Sequence, residues 1–293
     1  MKIEPIKPDF GATMSDVDLS QPLDAATVKQ IGDAFATYGV VVFHDQTLDN
    51  ETQARFGEYF GELEMSPKHY RSDNKHRIDS KAIVDVSNLD ENSNPRARED
   101  RRRLEALGNR LWHSDASFRP VPGALSMLFA HAVPPKDGET EFADTRTGYD
   151  TLSDEMKATI KDMKVVHLYG TSRAKLGFPS ESEEERKNLP PVEHPLVRYH
   201  APSGRNALYL GSHTTHIAGM LVPEGRVLLM DLLEHTTQKE LVYRHAWKVG
   251  DLVVWDNRCT LHRGRQFDEK YPRDLRRVTT KDGSTPKAAS MAA

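Results

Sequence analysis

Short apolar segments parted by turn residues restrict the fold of this chain more than any other feature. Residues 126–133 form one such segment, and residues 140–142 follow after Asp137-Gly138, a strong turn signal. Residues 165–169, 196–200, 207–210, 252–255 and 275–280 continue the series. Strands of this length and spacing predict a sandwich or barrel, not a parallel doubly wound sheet. A further strand is expected near residues 2–6, and a buried one at Val40-Val41-Val42-Phe43. Four helices are expected among the strands. The first covers 25–38, with Asp24 as cap, Val28, Ile31 and Phe35 at helical spacing, and Gly39 as stop. The second starts at Asp49 with Phe56 and Phe60 on one face. The third covers 153–163, capped by Ser153, with Met156, Ile160 and Met163 inward, and the fourth covers 223–235.

The chain shows no internal repeat and no long linker, so its 293 residues read as a single domain, 1–293. A hydrophobic fraction of 37% and a charged fraction of 29% belong to a soluble globular protein. A net charge of -4 leaves no basic excess to neutralise phosphates, which argues against nucleic acid as the main partner. No apolar run is long enough to span a membrane. Residues 1–12 lack the basic segment and apolar core of a signal peptide. The single cysteine, Cys259, excludes an internal disulfide framework and a Cys-based zinc site, so a reducing cytoplasm is the expected compartment. Residues 92–107 and 179–191 are expected as mobile loops, either solvated or serving as a lid, and 282–293 as a flexible tail.

Leu111-Trp112-His113-Ser114-Asp115 carries the clearest chemical signal. In an extended strand, residues i and i+2 face the same way, so His113 and Asp115 can offer an imidazole and a carboxylate to one ion. A distant histidine would complete a facial set of two His and one carboxylate. Such a set leaves three open positions on an octahedral metal and suits non-haem iron(II) oxygen chemistry. His262, within Thr260-Leu261-His262-Arg263-Gly264, is the best candidate. His-x-Asp triplets also arise by chance, and 13 histidines make one distant partner easy to find, so the triplet alone decides little. Downstream, in Arg273-Asp274-Leu275-Arg276-Arg277, positions 273, 275 and 277 share a face if the segment is extended, and Arg276 faces away. On composition alone two guanidinium groups on one face read as a solvated patch, but beside the metal motif they read as two anion sites, since guanidinium grips carboxylate in a planar fork. A solvated basic patch is the alternative.

Several separated motifs carry a family resemblance. Trp112-His113-Ser114-Asp115 with Gly138-Glu139-Thr140, and Trp255-Asp256-Asn257-Arg258 with His262, Arg273 and Arg277, resemble the taurine dioxygenase family from Gly11-Ala12 to about Thr280. The likeness extends toward the branch typified by 2,4-dichlorophenoxyacetate dioxygenase through Pro190-Pro191, Glu224-Gly225-Arg226, Leu232-Leu233-Glu234-His235 and Val242-Tyr243-Arg244-His245.

That resemblance implies a mainly β fold with flanking helices, a double-stranded β-helix or jelly roll with the metal in its mouth. It implies His113, Asp115 and His262 as iron(II) ligands. It implies Thr140 and Arg273 as holders of the distal carboxylate of 2-oxoglutarate, and Arg277 as holder of the substrate's anionic head. Asn109 matches a pocket asparagine of the taurine enzyme. His213 is a pocket candidate because the phenoxyacetate branch resembles Gly211-Ser212-His213-Thr214-Thr215-His216 and the taurine branch lacks these histidines. The implied reagents are iron(II), 2-oxoglutarate and O2, with ascorbate as a stimulant, and the implied assembly is a homo-oligomer. The implied reaction hydroxylates the carbon next to the ether oxygen of an aryloxyacetate such as 2,4-dichlorophenoxyacetate. The product collapses to a phenol and glyoxylate, with succinate and CO2 released. A taurine, alkylsulfonate or other carboxylate dioxygenase is the alternative within the family. A cupin-like metal protein without oxygenase activity, or a metal-dependent hydrolase, is the alternative outside it, and neither needs Thr140 and Arg273. Trp112 and Trp255 are expected to pack and exclude water. Lys68 and Arg71 are expected in a loop near the site. His167, His200, His235 and His245 are expected to be structural, and Cys259 has no assigned task.

Overall fold

The structure, a computed structural model, describes residues 1–65, 77–178 and 183–283. Lys68, Arg71 and most of the expected tail lie outside the described residues. Strands β1 (Lys2–Pro5) and β2 (Ala12–Ser15) pair antiparallel. Helix α1 (Ala25–Tyr38) starts where Asp24 accepts the Thr27 N–H and ends where Gly39 turns left-handed. β3 (Val40–Phe43) is buried throughout. α2 (Asn50–Glu58) carries a reciprocal capping box between Asp49 and Thr52. After β4 (Val84–Ser87), the stretch expected as loop contains α3 (Arg101–Ala106) and a 3-10 turn, Leu107–Arg110. Next come β5 (Gly123–Ala132), β6 (Thr140–Asp144), α4 (Thr145–Asp150), α5 (Asp154–Ile160) and β7 (Lys164–His167). Then follow α6 (Thr171–Ala174), α7 (Glu183–Asn188), β8 (Val192–Pro195), β9 (Val197–His200), β10 (Arg205–Leu208) and β11 (Thr214–Ile217). The chain continues through α8 (Val222–Thr236), β12 (Val242–His245), β13 (Leu252–Asp256), β14 (Thr260–Gly264) and β15 (Asp274–Lys281).

A seven-stranded sheet runs in the order β1-β2-β3-β13-β5-β15-β4. Smaller sheets, β12-β6-β14, β11-β7-β8 and β10-β9, complete the β framework. The period-2 alternation of the large sheet sorts its residues. Val41, Met127, Phe129, Val254 and Val278 face outward and pack with Ile31, Phe35 and Phe56 of α1 and α2. Val40, Val42, Leu128, Ala130, Val253, Trp255 and Leu275 face inward, where they meet Phe142 of β6. Behind the small sheets, Ala143, Leu208, Leu261 and Leu232 of α8 build a third cluster. The space between the large sheet and β6–β14 is therefore the inside of the fold. Among the described residues no helix is long and apolar enough to cross a membrane.

The expected helices and strands are present, with shifted ends. α5 stops at Ile160, although Met163 still packs in the third cluster. The strands β2, β4, β8, β11, β12 and β14 were not foreseen. They are short and carry polar residues such as Asp85, Glu193, Arg244 and His262, which hide the alternation.

Candidate metal centre

His113 and His262 are joined before any ligand enters. Each backbone N–H donates to the other's carbonyl, at 3.0 and 2.9 Å, forming an isolated antiparallel bridge. His113 and Asp115 do not share a strand, because Asp115 opens a turn in which Ala116 takes φ 55°. The turn, not the expected alternation along one strand, brings the Asp115 carboxylate near the His113 imidazole, and the backbone bridge brings His262 to His113. His262 does lie on a strand. On β14 it pairs with Phe142 of β6 and faces inward, while Leu261 and Ala143 face out.

The three side chains converge. His113 Nε2 lies 3.9 Å from Asp115 Oδ1, His262 Nε2 lies 3.7 Å from Asp115 Oδ2, and all three residues are buried. One donor atom from each falls within 4.8 Å of the others. His113 Nδ1 sits 2.7 Å from the Leu111 carbonyl, so it carries the proton and Nε2 keeps its lone pair for a metal. Trp255 packs on the His262 ring at 4.6 Å. Burial lowers the pKa of both imidazoles, which keeps them neutral and able to ligate. Burial also opposes ionisation of Asp115, but Arg277 and then the two imidazoles outweigh it and hold the carboxyl at about 2. Two neutral imidazoles and one carboxylate, with lone pairs turned to a common point, fit an octahedral divalent metal with open positions.

Hydrogen bonds with and among three neighbouring side chains fix Asp115. Its backbone N–H donates to Asn257 Oδ1 at 3.0 Å, and Ser126 Oγ donates to its Oδ2 at 2.7 Å. Asn257 Nδ2 donates to Ser126 Oγ at 2.9 Å, and Trp255 Nε1 donates to Asn257 Oδ1 at 3.0 Å. Gly211 closes the site from behind. A Cβ there would lie 3.1 Å from the Trp112 carbonyl and 3.2 Å from the His113 Cα, and its φ is 144°. A second cluster, His200, Asp256 and Cys259, is also buried. Its carboxylate is already committed to Arg258 at 2.6 Å and His200 at 3.0 Å, so it serves as structure.

Two arginines reach the same interior from β15 and its entry. Arg276, between them, turns outward to Asp274 and to Asn50. Arg277 ion-pairs with Asp115. Arg273 has no carboxylate partner among the described residues. It donates to the Gly138 carbonyl at 3.2 Å, and its Nε is buried without an acceptor. Desolvation pulls its pKa down to about 10. Gly138 has φ +77°, and a Cβ on it would meet Phe267 at 3.3 Å and Arg273 Nε at 3.5 Å. Thr140, two residues on, is buried and faces inward with Phe142.

His213 stands beside the metal ligands, its ring 6.2 Å from that of His113. Phe118 lies 5.0 Å from His213 and 4.7 Å from Tyr169, so the three rings line one wall. Burial, then the neighbouring His113, lowers the His213 pKa to about 3. Asn109 sits exposed in the 3-10 turn, with its backbone rather than its side chain turned to Gly264. Trp112 is buried under the Arg263 guanidinium at 4.4 Å. Sequence reasoning missed Ser126, Asn257, Phe118, Tyr169 and Trp247. Asn257 was legible within a motif, but its partner is 131 positions away in the chain. A cavity of about 1060 Å³ contains none of the three donors, and Phe267 in its wall adjoins Arg273.

Residues 2–279 match the family described as Taurine catabolism dioxygenase TauD, TfdA family. The chain belongs to this dioxygenase family. It is 42% identical over 278 residues to an alpha-ketoglutarate-dependent 2,4-dichlorophenoxyacetate dioxygenase of Cupriavidus pinatubonensis, covering 95% of this chain and 96% of that protein. It is 31% identical over 274 residues to an (S)-phenoxypropionate/alpha-ketoglutarate-dioxygenase of Sphingobium herbicidovorans, covering 91% and 90%. The crystal structure of AAD-2 in complex with Mn(II) and N-oxalylglycine matches with a TM-score of 0.89 and 44% identity, over 98% of this chain and 99% of that chain. The fold is thus the jelly roll of the taurine catabolism dioxygenases.

Proposed function

We propose that this member of the family is an iron(II)- and 2-oxoglutarate-dependent dioxygenase that oxidises aryloxyacetates such as 2,4-dichlorophenoxyacetate. One observation carries the reading: a buried two-His, one-carboxylate set stands with an arginine, Arg273, that has no carboxylate partner among the described residues and whose Nε is buried without an acceptor. Bound iron(II) supplies oxygen activation coupled to conversion of 2-oxoglutarate to succinate and CO2. The remaining tasks fall to side chains of this chain. His113, Asp115 and His262 would hold the metal, with both imidazoles neutral and the carboxylate ionised. Arg273, with the Thr140 hydroxyl, neutralises the distal carboxylate of 2-oxoglutarate, whose burial without a partner is costly. Arg277 takes the substrate carboxylate and sets which C–H bond faces the metal. Phe118, Tyr169 and His213 form an aromatic wall against which the substrate ring stacks. Trp112 and Trp255 keep water from the ligands.

Hydroxylation at the carbon between the ether oxygen and the carboxylate gives a hemiacetal, which breaks into a phenol and glyoxylate. The names of the 42% and 31% identical relatives support the phenoxy-acid class. The test is a panel of chlorinated phenoxyacetates, taurine and alkylsulfonates assayed for succinate and product together. Phenol and glyoxylate should form from the phenoxyacetates in equal amounts with succinate. Coupled turnover of taurine with none of the phenoxyacetates would overturn the substrate class.

A further inference from the structure

Thr140 is held by an indole, and that contact decides which way its hydroxyl points. Trp247 Nε1 donates to Thr140 Oγ1 at 3.0 Å. An indole N–H can only donate, whereas a hydroxyl has one hydrogen and two acceptor lone pairs. Thr140 Oγ1 is therefore the acceptor toward Trp247, and its own hydrogen is left to donate elsewhere. Trp247 sits on the link between β12 and β13, and that link is fastened at its far end by Asp251. The buried Asp251 carboxylate accepts the Lys248 N–H at 2.8 Å, meets His245 Nε2 at 3.0 Å and meets His44 Nδ1 at 2.6 Å. Tyr243 lies 2.9 Å from the other nitrogen of His245, so that ring is held at both ends. The His245 ring packs against the Trp247 indole at 4.7 Å and 89°, which sets the direction of the indole N–H.

We propose that Trp247 is a positioning residue for the cosubstrate: it turns the Thr140 hydroxyl toward the distal carboxylate of 2-oxoglutarate beside Arg273, and the Asp251 clamp holds it there. The inference rests on the assignment of Thr140 and Arg273 to that carboxylate. A purely structural tryptophan would act whether or not Thr140 carries a hydroxyl. A positioning tryptophan acts only through it.

A double-mutant cycle separates the two. The readout is the calorimetric affinity of Mn(II)-loaded protein for N-oxalylglycine, an analogue with the same distal carboxylate. Thr140→Val should weaken binding ~10-fold and Trp247→Phe ~5-fold, as expected for one hydrogen bond lost or misdirected. Thr140→Ser, which keeps the hydroxyl, should bind within ~2-fold of the parent. In the Thr140→Val background, Trp247→Phe should add less than ~2-fold. If the two losses multiply, or Trp247→Phe binds like the parent while Thr140→Val does not, Trp247 does not act through Thr140. If Thr140→Val itself binds like the parent, the cosubstrate assignment fails first. Should Trp247→Phe melt below assay temperature, Asp251→Asn replaces it, with a ~3-fold loss expected that vanishes in the Thr140→Val background.

Discussion

Arg273 and Arg277 stand four positions apart and face the same interior, yet they live in opposite electrostatic settings. Arg277 has its counter-charge inside the protein, in the Asp115 carboxylate. Arg273 has a backbone carbonyl and, 5.7 Å from its guanidinium, the Phe267 ring, and its pKa is depressed by burial alone. A buried charge without a partner is expensive, and such groups persist where a ligand supplies the missing charge. The difference matches the two proposed tasks. In that proposal Arg273 receives the anion and gains most when one arrives. Arg277 pairs with Asp115, and under the proposal a substrate carboxylate shares it.

The largest break in this comparison comes from Arg273→Leu. Removing the cation leaves the distal carboxylate of 2-oxoglutarate unpaired, at ~2–5 kcal/mol, so its apparent affinity should fall by at least ~30-fold. The ligand-free variant should melt no lower than the parent, because an uncompensated buried charge has been replaced by apolar surface. A lower melting temperature with unchanged 2-oxoglutarate affinity would show that Arg273 is structural.

Arg277→Leu should give the reverse pattern. Substrate binding should weaken by ~1.5–3 kcal/mol, about 10- to 150-fold, with 2-oxoglutarate affected far less. The metal-free protein should lose stability, because Asp115 keeps its burial and loses its first counter-charge. Equal effects of the two substitutions on both ligands would erase the distinction.

The smallest effect sharpens the aromatic wall. Burial depresses the pKa of His213 and of the fully buried His167 below the value in an unfolded chain. The unfolded state therefore takes up these protons first as pH falls. Stability contributed by the neutral rings is complete above about pH 6.5 and declines below it. For His213 the decline continues toward the folded value of about 3. Each ring contributes a slope of up to ~1.4 kcal/mol per pH unit. Urea midpoints of the metal-free protein between pH 7 and 5 should show a shallower slope in His213→Gln. An unchanged slope would mean that His213 is protonated as readily in the folded protein as in the unfolded one.

What the sequence revealed follows from how local each signal is. Asp24, Gly39, Asp49 and Ser153 act within one helical turn, so the ends they set were legible, apart from the C-terminal turn expected of α5. His113, Asp115 and His262 were legible as separated motifs and converge in the structure, where Arg277 pairs with Asp115. His113 and Asp115 are brought together by a turn, and His262 by a backbone bridge, instead of by alternation along one strand. Ser126 and Thr279, 3.1 Å apart beneath Asp115, meet only through the pairing of β5 with β15. Trp247 reaches Thr140 only because β12 pairs with β6. Such contacts depend on register across the sheet, which no local pattern records. Asn109 shows the converse, a motif match whose side chain the fold leaves at the surface.

In the proposed reading one interior holds both a metal triad and a 2-oxoglutarate site. Anaerobic titration of iron(II) followed by 2-oxoglutarate, read by visible absorption, tests it most directly. The wild-type protein should develop a weak charge-transfer band as the keto acid chelates the metal. His262→Ala should show none, and Arg273→Leu should reach the same band only at keto-acid concentrations at least ~30-fold higher. No band in the wild-type protein, with iron(II) bound and 2-oxoglutarate saturating, would contradict the account.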